Sequence, residues 1–585
     1  MTDFSNMVRS LKTIFGKKTV AAYIGLSLLF TCSLTCAQDF SAIGQIPLQD
    51  GGRIKPFDSF AREALRLIYG KDTYNSKSAN EVVLTWHFVP EHWSQVEMFK
   101  INNKPLKARL ELNEDKSLFT LSEVMQKSSI WLSLVSDVQA KRQNKEKLLP
   151  FDQAVQLLDS QINLFSMVAS GHALKFWPRV ETEVTGSDHD EFSASQNTSW
   201  VSVAEVSKAN DSSAADFSAF ASAFVEAIKT GSAANLDGSV KVLISNARAI
   251  NPAGYADESL IRAEVHYNQF HPFKWAWILY ALAACFVLAS WIFDKRGLFT
   301  FSLFFTGIAF LIHSYGFALR VFLTGRPPVS NMYESVVWVA WGAVVFGGII
   351  ALSKSAKKAQ NSSKKFSTLT VLSSLIVAVV CLITADLAPS VLDPSIQPLE
   401  SVLRSNLWLT VHVLTITLSY GAFFVAFVLG DIGLFHYLKG KRDHDPIIQD
   451  ISRAIYRALM IGVVLLAAGT ILGGVWADYS WGRFWGWDPK ENWALIALLG
   501  YVAVLHGRLA GWLKTFGFIA SSVVSFGLVI MAWFGVNYVL GAGLHTYGFG
   551  VGGVKEVSLF VLCHFIYVGF VAVAVKRKLL VKDSA

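Results

Sequence analysis

The chain has 585 residues, of which 52% are hydrophobic and only 16% charged, against about a quarter charged in ordinary soluble domains. Its formal net charge is +8. The basic residues gather in short segments between long apolar runs, so the charge reads as membrane topology, and nucleic acid is not required as a partner. Five cysteines in a chain of this length exclude a disulfide-built scaffold.

Ten runs meet or approach the roughly 20 apolar residues that cross a hydrocarbon core of about 30 Å. The first covers 19–37. Its basic start, apolar middle and small residues Thr35 and Ala37 ahead of Gln38 fit a secretory signal, and they also fit a retained anchor. Cys32 and Cys36 lie four apart there and do not make a C-x-x-C pair. Residues 38–271 contain no such run and read as a soluble domain. Within it Gly51 and Gly52 predict a turn. A helix is expected next, with Asp58 or Ser59 as N-cap and Phe60, Ala61, Leu65 and Ile68 on one face. Residues 205–250, rich in Ala and Ser, also read as helical. His87, His92, His172, His189 and His266 read as surface or packed histidines.

Nine further runs follow near 272–293, 298–319, 334–353, 366–386, 406–437, 458–475, 493–512, 514–540 and 555–575. The expected fold is an α-helical integral membrane protein of about ten spans: one N-terminal span, one soluble domain and a nine-helix bundle. The corresponding divisions are 1–37, 38–271 and 272–585. With the N-terminus inside, the inner segments hold 22 Lys and Arg, while the opposite short loops hold only Arg320, Arg326, Arg404, Arg483, Lys490 and Lys555. By the positive-inside rule both termini face inward and residues 38–271 face outward. Membrane lipid surrounds the bundle. Cys285, Cys381 and Cys563 fall within spans and read as small buried hydrophobes.

The chemistry concentrates in VWADYSWGRFWGWDPKENW, where Trp476, Trp481, Trp485, Trp487 and Trp493 alternate with Gly482, Gly486, Asp488 and Pro489. Between two spans on the outer side, this segment reads as a tight loop. Flat aromatic faces beside glycines suit a large planar apolar ligand, with Arg483 and Lys490 available for carboxylates. Asp488, followed by Pro489, reads first as a residue that shapes the turn. His412 lies near the outer end of a 32-residue run that would be about 48 Å long as a helix, so it is expected at the outer surface. His545 lies in the next outward loop, GAGLHTYGFG. Together these two histidines would supply two axial imidazoles for one heme iron. His506 and His313 are ionisable groups inside spans, where function is the default hypothesis. His564, also in a span, reads as structural, and His436 and His444 as solvated.

WGRFWGWDPKENWALI resembles the tryptophan-rich signature of the WWD heme-handling family, and its DPKE and NW continuation is closest to the CcsA (ResC) branch of the system II cytochrome c synthase. TGRPPVSNMYESVVW, LRSNLWLTVHV and GAGLHTYG resemble further segments of that branch, in the same order along residues 270–575. The resemblance implies a protein of the bacterial inner membrane that holds heme b as substrate at a periplasmic site. There, cysteine thiols of a C-x-x-C-H apocytochrome c add to the heme vinyls. It implies His412 and His545 as catalytic outward ligands and His506 as a membrane ligand. Trp476, Trp481, Trp485, Trp487, Asp488, Trp493 and His313 complete the candidate heme-binding set. The synthase also needs a ResB (CcsB) part. Here that part falls to a separate ResB-like membrane subunit, or else His313 supplies the second membrane ligand; the depths of His313 and His506 in their helices favour the subunit. IPLQDGGRIKPFDSF resembles the outer domain that precedes the bundle in some fused synthases. The alternative is a heme relay that hands heme to a chaperone without synthase activity.

Overall fold

A computed structural model describes residues 40–583 apart from 145, 147, 180–199, 210–211, 354–361, 390, 400–404, 542 and 544–551. The run at 19–37 with Cys32 and Cys36, and also His189, Arg404 and His545, lie outside the described residues. The chain forms two compact units. Among the described residues, one takes in those up to Asp50, 54–147 and 154–256; the other takes in 51–53, 148–153 and those from Asp257 onward.

The first unit is mainly helical, with four small two-stranded sheets among the described residues. Gly51 and Gly52 both adopt the left-handed backbone that the expected turn needs. The following helix, Phe57–Tyr69, buries Phe60, Ala61, Leu65 and Ile68 as the spacing requires. Its N-cap, however, is Pro56. Asp58 sits inside the first turn, where its carboxylate accepts from Arg62 Nε at 2.9 Å and Asn80 Nδ2 at 3.2 Å. An acid in that turn also complements the helix dipole without capping it. The expected helical stretch at 205–250 contains the helices Ser212–Thr230 and Leu236–Ile250. Aromatic side chains fill the core, among them the fully buried Trp86, Phe99, Phe176, Trp177 and Phe220.

In the second unit, among the described residues, nine helices are long and apolar enough to cross a membrane: α1 Glu258–Phe293, α2 Arg296–Thr324, α3 Met332–Leu352, α4 Phe366–Leu387, α5 Asn406–Leu438, α6 Pro446–Trp481, α7 Pro489–Leu509, α8 Thr515–Leu540 and α9 Val554–Arg577. Helix α6 differs most from its apolar run at 458–475. It starts at Pro446, a good first-turn residue, and stops only where Gly482 turns left-handed. Apolar content marks the part in hydrocarbon, while capping residues mark the helix. Trp476 and Trp481 therefore stand on the last turns of α6 rather than in a loop, and Trp493 stands on α7.

The helices meet closely where small residues allow it. A Cβ on Gly421 of α5 would lie 3.0 Å from the carbonyl oxygen of Val339 in α3. Phe423 of α5 and Tyr501 of α7 stack with ring centroids 3.8 Å apart. The outer faces stay apolar because lipid is their solvent. For the same reason Cys285 and Cys563 are exposed on the bundle surface, contrary to expectation, and Cys381 alone of the three is buried.

Arg320 is likewise not a loop charge. It lies in α2, fully buried, and its Nε and Nη2 donate to Glu334 Oε1 of α3 at 3.0 and 2.6 Å. Its Nη1 donates to the Tyr267 hydroxyl and the Pro394 carbonyl. Glu334 Oε2 accepts from the backbone amide and hydroxyl of Ser330 at 2.8 and 2.7 Å. Two buried charges are tolerable only when this fully bonded, and the network pins residues 330–334 at the start of α3.

Candidate functional site

That pinned segment is one wall of an open cavity, with about 1250 Å³ of empty space when the solvent at its mouth is included. Ser330–Met332 and Ser335 come from the start of α3; Leu409, His412, Val413, Ile416, Thr417 and Tyr420 from α5; Gly473, Trp476 and Trp481 from α6. Trp485, Lys490, Glu491 and Ala494 come from the following loop and α7, and Trp533 and Asn537 from α8. Tyr420, Trp476, Trp481, Trp485 and Trp533 give the cavity five large aromatic rings among small, aliphatic and polar side chains.

His412 stands in a π-helical turn, Leu409–Val413, inside α5. Such a turn inserts an extra residue and re-aims the side chains around it. The half-buried imidazole passes directly over Gly473 of α6, where an added Cβ would lie 2.6 Å from Cε1. Its Nδ1 donates to the Gly469 carbonyl oxygen at 2.8 Å. That bond places the proton on Nδ1 and makes Nε2 the nitrogen with the lone pair. The ring meets Trp476 edge-on at 5.7 Å, and Trp476 stacks on Trp408 at 6.5 Å.

Of the five tryptophans in the motif, Trp476, Trp481 and Trp485 line the cavity. Trp485 and Trp487 meet edge to face at 6.2 Å, and Trp487 is 71% exposed on a left-handed backbone with φ +57°. Trp493 is half-buried and outside the lining. Asp488 is the N-cap of α7 and forms a capping box with Glu491. The side chain of Glu491 reaches back to accept from the amides of Gly486 and Asp488 at 2.8 and 3.1 Å, which fastens the tryptophan loop to α7. Gly543, with φ +103°, lies so close that an added Cβ would be 2.3 Å from Asp488 Oδ1.

The other candidate histidines lie elsewhere. His506 is exposed in the last turn of α7, its Nδ1 bonded to the Val502 carbonyl at 2.9 Å. Some 12 residues of helix, or about 18 Å, separate it from Ala494 at the cavity. His313 is fully enclosed in α2, ring-packed with Phe273 and Phe317, and does not line the cavity. His564 of α9 faces Asp431 of α5 with Nε2 3.4 Å from Oδ2, a partner that the α9 sequence does not announce. His436 stacks on Trp291 instead of standing in solvent, and His444 is exposed. Among the described residues no group of three or more His, Cys, Asp or Glu is placed to hold a metal ion.

Sequence reasoning missed Tyr420, Trp533 and Asn537 as cavity walls. Trp533 and Asn537 are four apart on the π-helical part of α8, Met531–Leu540. The one available signal was an Asn within an apolar span, and polar groups at that depth are expensive without a role. Trp533 Nε1 donates to Ser335 Oγ at 3.0 Å, which ties α8 to α3 across the cavity floor.

A family model described as cytochrome C assembly protein matches residues 329–545, which include every wall of this cavity. The protein NrfI of Wolinella succinogenes is 29% identical over 523 residues, covering 85% of this chain and 53% of NrfI; the chain thus spans about half the length of that relative. The cytochrome c biogenesis protein CcsA of Prochlorococcus marinus strain MIT 9312 is 32% identical over 292 residues, 44% of this chain and 87% of the relative. CcsA of strain MIT 9301 is 32% identical over 254 residues, 39% of this chain and 77% of the relative.

Proposed function

The chain belongs to the CcsA-type cytochrome c assembly proteins, and from that premise we propose that its cavity holds heme b as substrate for covalent attachment to apocytochrome c. The observation that carries this reading is the pairing of an aromatic cavity with an oriented imidazole. Trp476, Trp481, Trp485, Tyr420 and Trp533 line the cavity with the large aromatic rings that a planar macrocycle favours. His412 has its proton held on Nδ1 by Gly469, as metal-bound histidines have theirs held by a carbonyl or carboxylate.

In this reading Nε2 of His412 is one axial ligand of the heme iron, and His545 is the other. Gly543, two residues before His545, packs against Asp488 at the mouth of α7. The imidazoles fix the orientation of the ring and favour one iron oxidation state; thioether formation requires the ferrous one. Each thiol of a C-x-x-C-H segment then adds across a heme vinyl, the sulfur bonding to one carbon and the proton going to the other. His506, about 18 Å further along α7, belongs to a separate station inside the membrane. It needs a second ligand from a ResB-like membrane subunit, because His313 is enclosed between Phe273 of α1 and Phe317 of α2. The orientation read from the basic residues puts the cavity on the periplasmic side of a bacterial inner membrane.

The test is co-expression of the full chain with a ResB-like partner and a C-x-x-C-H reporter. His412→Ala and His545→Ala are expected to insert normally, to lose co-purifying heme, and to leave the reporter without covalent heme. Full maturation in both variants would overturn the assignment. Normal heme content in the unaltered chain with an unmodified reporter would favour the heme relay over the synthase.

A further inference from the structure

The inner end of the cavity holds a hydroxyl that no neighbour in the wall engages. Ile416 and Tyr420 follow His412 at successive turns of α5, and all three side chains line the cavity. Eight residues of helix put the tyrosine about 12 Å further into the bundle than the histidine. Tyr420 is only 5% exposed, and its ring centroid lies 5.8 Å from that of Trp533. Phe423, one turn beyond, closes the space below: it stacks on Tyr501, and its ring leaves no room for a Cβ on Gly462. The other polar side chains at this end are engaged. Thr417 Oγ1 donates to the Val413 carbonyl and Thr470 Oγ1 to the Leu466 carbonyl. Ser335 Oγ donates to the Met332 carbonyl at 2.9 Å and accepts from Trp533 Nε1 at 3.0 Å. Asn537 Nδ2 donates to the Trp533 carbonyl, and its oxygen accepts from Lys490, whose ammonium also interacts with the Asp488 carboxylate. Among the described residues the Tyr420 hydroxyl has no hydrogen-bond partner.

We propose that Tyr420 is a specificity-determining residue: its hydroxyl donates to a ring carboxylate of a porphyrin bound edge-on, so that the carboxylate edge points inward and the opposite edge faces the mouth. The proposal rests on the reading of the cavity as a heme site and specifies orientation within it. A hydroxyl held in a desolvated wall without a partner costs free energy, and a ligand that brings an acceptor removes that cost. The faces of the heme ring offer no such acceptor; its propionates do. A carboxylate accepts a charge-assisted bond about twice as strong as a neutral one, and because the cavity is open, water can complete the carboxylate's hydration. Heme carries its two propionates on one edge and its vinyls on the other half of the ring. With a propionate at Tyr420 the vinyl-bearing half is turned to the mouth, where a C-x-x-C-H segment arriving from outside would meet it.

The experiment compares heme with heme dimethyl ester, which has the same ring, iron and vinyls but no free carboxylate. Both are titrated into the purified full chain in detergent and followed at the Soret band. The unaltered protein is expected to prefer heme by about tenfold, the difference between a charged and a neutral acceptor. Tyr420→Phe keeps the ring against Trp533 and removes only the oxygen. It should weaken heme by about tenfold and the ester by about threefold or less, so the preference falls. A merely structural role for the hydroxyl would weaken both compounds alike and leave that ratio unmoved. An unaltered protein that binds both equally would overturn the role of Tyr420 while leaving the cavity reading intact, as would a Tyr420→Phe variant with an unchanged preference. Binding of neither compound by the unaltered protein would overturn the cavity reading and the orientation together. Should Tyr420→Phe fail to fold, Tyr420→Leu removes the same donor and is read by the same ratio.

Discussion

Gly473→Ala is the sharpest probe of how His412 is held, because the change adds one carbon against the ring and leaves the imidazole itself unaltered. Built on the existing backbone, that carbon would lie 2.6 Å from Cε1, 3.0 Å from Nδ1 and 3.2 Å from Nε2 of His412. Ordinary carbon contacts begin near 3.5 Å, so the ring must retreat by about 1 Å or α5 must shift off α6. The imidazole is a rigid plane tied at Nδ1 to Gly469 by a 2.8 Å bond, and either movement stretches that bond. Overpacking costs about 1–3 kcal/mol, and a lost hydrogen bond adds about 1 kcal/mol. If half of this falls on the orientation of Nε2, heme affinity drops by about tenfold. The assay is a heme titration by visible absorbance, with a thermal melt of the apoprotein beside it. Gly348→Ala, where nothing lies within 4 Å of the new carbon, is the control and should bind normally. Unchanged heme affinity and an unchanged Soret band in Gly473→Ala would refute the claim that His412 is positioned by contact with α6.

Trp485→Ala should weaken heme retention measurably, because its ring is part of the cavity wall, whereas Trp487→Ala, whose ring lies outside it, should do less; equal losses by pyridine hemochrome would contradict this ordering. Arg320→Leu leaves Glu334 buried without its partner and should lower stability by about 3–5 kcal/mol. The pair Arg320→Leu with Glu334→Leu should recover much of that in a thermal melt, yet still loosen the Ser330 segment of the cavity.

The nine spans among the described residues were legible because lipid demands long apolar runs. Their true ends were less so. The run at 458–475 gives only the hydrocarbon part of α6, whose 36 residues are set by Pro446 and Gly482. That error moved Trp476 and Trp481 from a helix into a loop. His412 was legible as a histidine near the tryptophans, but its π-helical turn and its rest on Gly473 are tertiary facts with no local signature. Arg320 was misread as a loop charge because its partner Glu334, 14 residues on, lies across a turn that sequence spacing does not close. Tyr420 and Trp533 were hidden for the opposite reason: an aromatic residue in an apolar span looks the same whether it faces lipid, a neighbouring helix or a cavity.

The walls of the cavity differ in lifetime. His412, Trp476 and Trp481 belong to α5 and α6, helices of 33 and 36 residues, and to separate them would disrupt much of the bundle. Trp485 hangs on residues 482–487, which are fastened through Glu491 and the α7 cap and carry one residue, Trp487, in a backbone conformation worth about 1–2 kcal/mol of strain. With only these bonds, one from Asn492 Nδ2 to the Trp487 carbonyl and the Phe484 ring against Gly474 to hold it, the segment is expected to open locally before the helices beneath it part. If the cavity takes heme as proposed, the ring would keep its hold on the His412 imidazole through many openings of the loop, and the iron–histidine bond rather than the aromatic cover would set its release.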